Sequence, residues 1–315
     1  MAKNNNLHNA KRAKNDEFYT TRATVELELN HYKEHFRGKV VYCNCDDPIE
    51  SEFTRYFARK FEDWGLKKLI STGYKESGHG VMYVYEGDKN GNLVPDRSEW
   101  KITELQGNGD FRSEECIEFL KEADVVVTNP PFSLFREVVA QLVEYNKKFL
   151  LLGNNNAITY KEIFPLIMSN KMWLGYSNNK TMEFVLSDSY EKWDRIENGK
   201  KIGKVPAISW FTNLEHDHRN RPLDLTQRYD PKYYPKFDNY SAINIDKVMD
   251  IPVDYDGVMA VPITFLDKYC PNQFRIIGCT ESEGKGFSNG LWNGGVTQPM
   301  VDNKRIYKRL FIQKV

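Results

Sequence analysis

The run Asn129-Pro130-Pro131-Phe132 combines hydrogen-bond acceptors, a stiffened backbone and an aromatic ring, a set suited to alkylating a planar amine. An exocyclic amino nitrogen on an aromatic ring is a poor nucleophile because its lone pair is delocalised. The Asn129 side-chain oxygen and the Pro130 carbonyl can accept both of its N–H hydrogens and draw the nitrogen toward tetrahedral geometry. The lone pair then points at an activated methyl carbon held in line at near-attack distance. Two prolines stiffen the loop and remove competing N–H donors, and Phe132 supplies a ring for stacking. No strong base is needed, since the proton becomes acidic only after the new bond has formed. The purely structural alternative is a rigid strand-to-helix turn.

The elements around the loop favour the chemical reading. It follows the run Asp124-Val125-Val126-Val127-Thr128, which is apolar throughout and so reads as a strand buried on both faces of a parallel sheet. Lys39–Cys43, Lys68–Ile70 and Lys148–Leu152 have the same character. Between them lie helical spacings: Ile49, Phe53, Tyr56, Phe57 and Phe61 from a start at Pro48, and Phe135, Val138, Val139, Leu142 and Val143 within 133–145. This alternation predicts an α/β, doubly wound sheet. In such sheets ligands sit outside the carboxyl ends of the strands, which selects the loops after Cys43 and Thr128.

Three further stretches are candidates for a cofactor pocket. Cys43-Asn44-Cys45-Asp46-Asp47-Pro48 offers carboxylates to an ammonium group, or a cap to the following helix. Gly107-Asn108-Gly109-Asp110-Phe111 offers an acceptor and a ring to a purine, or is a bare turn. Asp16-Glu17-Phe18-Tyr19-Thr20-Thr21 precedes a helix expected from about Ala23, with Thr21 or Thr24 as cap and Leu27 packing inward. Cys43-x-Cys45 and His216-x-His218 lack the second ligand pair a zinc site needs, and the histidines read as exposed. No metal is expected.

The whole-chain numbers set bounds. Aromatic residues make up 13% and charged residues 28% of 315 residues, as in a folded soluble protein. No membrane-length apolar run occurs, and five scattered cysteines do not form a disulfide framework, so a reducing cytoplasm is expected. Formal charge is zero, which argues mildly against nucleic acid. Local basic ends qualify this: Lys3, Lys11, Arg12 and Lys14 at one terminus, and Lys304, Arg305, Lys308, Arg309 and Lys314 at the other. From about Glu215 the texture changes to turn-rich sequence with short strand candidates at 257–261 and 274–278. The expected division is therefore 1–214 and 215–315.

With these residues assembled, the chain resembles the EcoRI-type family of DNA adenine-N6 methyltransferases. The likeness runs from Asp16-Glu17-Phe18-Tyr19-Thr20 through Val41–Pro48 and Asn129–Phe132 to Tyr255-Asp256-Gly257-Val258-Met259 and Val261–Tyr269. It implies a Rossmann-like, seven-stranded methyltransferase core with a smaller C-terminal target-recognition region. It also implies S-adenosylmethionine as cofactor and duplex DNA as substrate, with the target adenine flipped into the pocket. Asn129, Pro130, Pro131 and Phe132 would then hold the base. Phe18, Tyr19 and Thr20 would line the methionine end of the cofactor, Cys45, Asp46 and Asp47 its amino-acid portion, and Asp110 and Phe111 its adenine. Lys11, Arg12, Lys14, Arg219, Arg221 and Arg228 are candidates for DNA contact. A monomer is expected, belonging to a restriction-modification system with a cognate endonuclease or acting as an orphan or phage enzyme.

Two features depart from the wider methyltransferase pattern. The loop after the first strand lacks Gly-x-Gly, and Ser71-Thr72-Gly73-Tyr74 stands where a ribose-binding carboxylate is usual. Rival readings are an amino-methyltransferase acting on RNA or on a protein glutamine, and a non-catalytic DNA-binding module of the same fold. A nuclease reading of Asp96 and Glu99-Trp100-Lys101 is discounted, because its carboxylates are only three residues apart in a polar stretch.

Overall fold

The computed structural model describes residues 18–45, 47–178, 182–188, 190–281 and 286–315. Lys11, Arg12, Lys14 and Asp46, all assigned roles above, lie outside the described residues. The chain divides into two compact units, Met1–Ala157 with Ser177–Leu214, and Ile158–Tyr176 with Glu215–Val315. The expected single division at 214/215 is thus corrected, since 158–176 joins the second unit. Side chains hold that segment there. Trp173 lies 3.6 Å beneath the Arg219 guanidinium, and the Leu174 and Tyr176 carbonyls pair with His216 and His218.

The first unit begins with β1 (Tyr19–Thr20), α1 (Arg22–Leu29), α2 (Lys33–Phe36) and β2 (Val40–Cys43). It continues through α3 (Glu52–Trp64), β3 (Lys68–Gly73), β4 (Val81–Tyr85) and β5 (Trp100–Glu104). Next come α4 (Glu114–Glu122), β6 (Val125–Thr128), α5 (Phe135–Glu144) and β7 (Lys148–Asn154). After α6 (Phe164–Met168) and β8 (Trp173–Leu174) of the second unit, the chain returns as β9 (Glu183–Leu186), β10 (Arg195–Glu197), β11 (Lys200–Lys204) and β12 (Ile208–Thr212).

Within this unit the large mixed sheet runs β5-β4-β3-β2-β6-β7-β12. Strands β3, β2, β6 and β7 are parallel, flanked by antiparallel β4, β5 and β12. Every residue of β2 and β6 is buried, as their unbroken apolar runs require. Their register is pinned at one end by Asp124, whose carboxylate accepts from Val40 N at 2.8 Å while its own N–H returns to Val40 O at 2.9 Å. Chain order reverses between β2 and β6, so their carboxyl ends flank the crevice where ligands bind. A smaller antiparallel sheet, β1-β9-β11-β10, pairs Thr20 with Phe184.

The helices depart from expectation at their ends. Residues 48–50 form a turn, and α3 starts only at Glu52, capped by Ser51, whose Oγ accepts from Thr54 N. Ile49 is therefore exposed, while Phe53, Tyr56, Phe57, Phe61 and Trp64 form the buried face. Leu27 and Val143, expected inward, also face solvent. Replacing Ser51 with alanine is expected to remove about 1 kcal/mol, seen as a fall of roughly 2–4 °C in the thermal midpoint. An unchanged midpoint would show that the cap contributes nothing.

The second unit adds β13 (Ile243–Asn244), β14 (Met259–Pro262), β15 (Phe274–Cys279), β16 (Met300–Val301), β17 (Lys304–Arg305) and β18 (Arg309–Lys314). One sheet runs β13-β14-β18-β15, and β16–β17 is a separate two-stranded ribbon. Phe237, Tyr240, Ala242, Ala260 and Phe311 form an apolar core, onto which Val301 and Ile306 pack. Among the described residues, no helix is long and apolar enough to cross a membrane.

Candidate active site

The ends of β2 and β6 meet directly: the Thr128 hydroxyl donates to the Asn44 carbonyl. Cys45 then takes a left-handed conformation at φ 60°, rare for a residue with a Cβ. One residue past Thr128, the buried Asn129 donates from Nδ2 to the Phe18 carbonyl. A carbonyl can only accept, so this partner fixes which end of the amide is nitrogen and leaves Oδ1 directed away from it. Phe18 is itself clamped, with ring centroids 6.1 Å from Phe132, 6.3 Å from Phe184 and 5.6 Å from Tyr190. Burial raises the Tyr190 hydroxyl above its ordinary range. Phe184 and Tyr190 escaped the sequence reading because β9 is far from both motifs in the chain, and only its pairing with β1 brings them to Phe18.

The remaining loops converge through glycines. A Cβ on Gly73 would lie 2.7 Å from Pro48 Cδ, and one on Gly109, already at φ +82°, would lie 2.4 Å from Gly73 O. The stretch 73–75 and the loop at 107–111 are therefore in backbone contact, as a Lys75 N to Asn108 O bond of 2.9 Å also shows, while the Pro48 ring of the loop after β2 packs against Gly73. Gly-x-Gly is absent from the first loop, and the close approach is made by glycines on its neighbours. Ser71 and Thr72 turn inward, bonding Thr54 at 2.9 Å and Tyr42 at 2.8 Å, so neither hydroxyl replaces the missing ribose carboxylate.

Several expected residues carry local duties. One Asp47 oxygen accepts from Ile49 N at 2.8 Å and Glu50 N at 3.1 Å, building the turn before α3. Asp110 is gripped by Arg112 through bonds of 2.9 and 2.6 Å, and that guanidinium holds its carboxyl below the usual range. Phe111 is buried, and its carbonyl accepts from Gln141 at 3.1 Å. Two buried polar atoms, Thr20 Oγ1 and Asn44 Oδ1, have no hydrogen-bond partner among the described residues. Trp210 Nε1, His216 Nδ1 and Arg219 Nε are orphaned likewise, but Thr20 and Asn44 are the two that stand in segments assigned to the cofactor, where a ligand's polar groups could satisfy them. A further cavity of about 480 Å³ is walled by Tyr19, Thr20 and charged side chains. Its charges pair among themselves, Arg195 with Glu183, Lys200 with Glu50 and Arg55 with Glu52, and none of Asn129–Phe132 lines it.

In the second unit the DNA candidates separate. Arg219 is packed on Trp173 and bonded to Glu215 at 2.7 Å, which commits its guanidinium within the unit. Arg221 and Arg228 are exposed. His216 is buried rather than exposed, with its charged form disfavoured by burial, and His218 stacks on Tyr176 at 3.7 Å. Among the described residues, no group of three or more His, Cys, Asp or Glu side chains is arranged to hold a metal.

The family model described as adenine-specific methyltransferase EcoRI matches residues 6–314. The chain belongs to that family. The chain is similar to Type II methyltransferase M.EcoRI of Escherichia coli, with 48% identity over 293 residues, covering 88% of this chain and 89% of that protein. It is also similar to Type II methyltransferases M.MgeORF184P of Mycoplasma genitalium, 39% identical with 98% of both chains covered, and M.MpnI of Mycoplasma pneumoniae, 40% identical with 87% and 85% covered. No solved structure matches the chain significantly. As a family member the chain is an adenine-specific methyltransferase, so the readings as an RNA or glutamine enzyme and as an inactive module are not favoured.

Proposed function

We propose that the protein transfers a methyl group from S-adenosylmethionine to N6 of an adenine flipped out of duplex DNA. The observation that carries this reading is the orientation of Asn129, whose Nδ2 is held by Phe18 O. Oδ1 is then the end available to accept one amine hydrogen, with the Pro130 carbonyl accepting the other. The resulting pull on both hydrogens localises the lone pair on nitrogen. Phe132 stacks on the extruded purine and offsets part of the cost of unstacking it, a few kcal/mol.

The bound cofactor supplies an electrophilic methyl on a sulfonium. The chain's own contribution is to seat it. Thr20 and Asn44 offer their orphaned oxygens, the Cys45–Asp47 loop offers carboxylates to its ammonium, and Asp110 with Phe111 offers an acceptor and a ring to its adenine. The first unit supplies a methyltransferase-type core and the second a target-recognition region. On this reading the enzyme acts as a monomer and protects a site that a cognate endonuclease would cut.

Incubation with isotopically labelled cofactor and duplex DNA, RNA or a protein extract tests the substrate. Label appearing in protein alone overturns the proposal. Modification-sensitive sequencing of a methylated plasmid then reads the base and its neighbours. Phe132→Ala is expected to cost roughly 1–3 kcal/mol of base stacking, about 5- to 150-fold in kcat/KM, with cofactor affinity unchanged. Duplex carrying 2-aminopurine at the target position checks this, because the variant should lose the fluorescence gain that accompanies extrusion. A full gain in the variant would remove Phe132 from the role.

A further inference from the structure

Building on the reading that duplex DNA is the substrate, we infer that the ribbon β16–β17 and the adjoining Tyr307 form a surface with which the second unit grips the duplex, Lys304 and Arg305 meeting phosphates and the Tyr307 ring packing on the nucleic acid.

Charge first separates this surface from the stretch the sequence reading preferred. Between 215 and 240, Arg219, Arg221, Arg228, Lys232 and Lys236 are matched by Glu215, Asp217, Asp224, Asp230 and Asp238. Between 286 and 308, by contrast, the cations Lys304, Arg305 and Lys308 stand beside one acid in the sequence, Asp302, and the fold adds one more at the ribbon tip, Asp238, so the cations stay in excess. Lys304 and Arg305 are exposed and join no ion pair among the described residues. Affinity for duplex DNA comes largely from cations free to displace counterions at phosphates, and a cation held by a carboxylate contributes little. Lys308 is positioned by a bond to Thr159 at 3.1 Å, and the buried Arg309 is bonded to Asn244 at 3.2 Å, so the exposed ribbon pair is the part of this stretch least engaged by the protein itself.

Tyr307 is 89% exposed. One exposed aromatic is unremarkable on its own, but this ring stands two residues beyond Arg305 on a backbone whose alternate residue, Ile306, is packed on the core. The alternation turns residue 307 outward by the geometry of an extended chain. A two-stranded antiparallel ribbon is narrow enough to enter the major groove, and the turn at its tip is tight, with Asp302 and Asn303 at φ 50° and 61°.

The surface is also held rigid. The buried Asn239 donates to the Val296 and Gln298 carbonyls at 2.5 and 2.8 Å and accepts from Met300 N at 3.0 Å. Asp238 accepts from Asn303 N at 2.8 Å, and Ile306 N bonds Pro299 O at 2.9 Å. These bonds fix the base and tip of the ribbon before any partner arrives, which lowers the ordering cost of binding.

The test measures equilibrium binding of the full-length protein to a duplex fragment from a plasmid that the wild type methylates, at several salt concentrations. The double variant Lys304→Gln/Arg305→Gln is expected to reduce the slope of log affinity against log salt by roughly 2. Tyr307→Ala should weaken binding at least fivefold, and Tyr307→Phe should retain most of it. Thermal midpoint and cofactor affinity should match the wild type, since all three side chains lie outside the core. Wild-type affinity and salt slope in both the double variant and Tyr307→Ala would overturn the assignment while leaving DNA methylation intact. Failure of the wild type to methylate any plasmid would instead overturn the substrate reading on which the surface depends.

Discussion

Replacing Asn129 with alanine is expected to lower the methyl-transfer rate by roughly 10²–10³-fold, the usual effect of removing one preorganised polar group aimed at developing charge. Cofactor affinity should stay near the wild-type value. Two effects combine. The amine loses the acceptor that localises its lone pair, and the Phe18 carbonyl loses the N–H that it accepts, so the clamp is weakened from both sides. Single-turnover kinetics with saturating DNA separate this loss from binding. A rate within about tenfold of wild type, roughly 1.4 kcal/mol of barrier, would sink the assignment. Asn129→Asp gives a second, independent readout. An ionised carboxylate facing the Phe18 carbonyl is repelled, whereas the protonated acid can donate to it. Its carboxyl pKa should therefore be raised, and any residual activity should fall as pH rises through that value. A pH profile parallel to that of the wild type would mean that the Phe18 contact does not orient this side chain.

The second large effect is structural. Gly109→Ala places a methyl group 2.4 Å from the Gly73 carbonyl oxygen, at a backbone φ of +82°. The left-handed conformation costs a residue with a Cβ about 1–2 kcal/mol, and forcing the clash adds roughly 1–3 kcal/mol. The obstacle is backbone, so no side-chain rotation can relieve it. A fall in thermal midpoint on the order of 10 °C is expected, with weaker cofactor binding, because the 107–111 loop is pushed off the end of β3. Calorimetry with and without S-adenosylmethionine checks both. Gly91→Ala is the control: its φ is also positive, at +78°, but nothing lies within 4 Å of its Cβ, so it should show only the conformational part.

The parallel centre of the fold was legible because burial on both faces leaves an unmistakable apolar run, as in Val125-Val126-Val127. Its antiparallel margins were not. Four of the five residues of β5 are exposed, so it has no apolar signature, and its identity as a strand comes from pairing with β4. The Asn129–Phe132 tetrapeptide could be singled out as the candidate site because proline and asparagine after a strand are chemically distinctive. Its supports could not: Phe184 and Tyr190 look like ordinary core residues until β1 and β9 pair. Arg219 misled for the opposite reason, since a basic residue in polar sequence suggests an open surface, and only the arrival of Trp173 from the inserted segment shows that it is covered.

That insertion governs how the protein can be rearranged. Because the second unit is assembled from two stretches of chain, a transplant of residues 215–315 into a relative would arrive without Trp173, Leu174 and Tyr176, and Arg219, His216 and His218 would meet whatever the host supplies there. Exchange of the second unit between family members by a single crossover is thus disfavoured. Drift at 158–176 must keep step with drift beyond 215, and an engineer grafting one must carry the other.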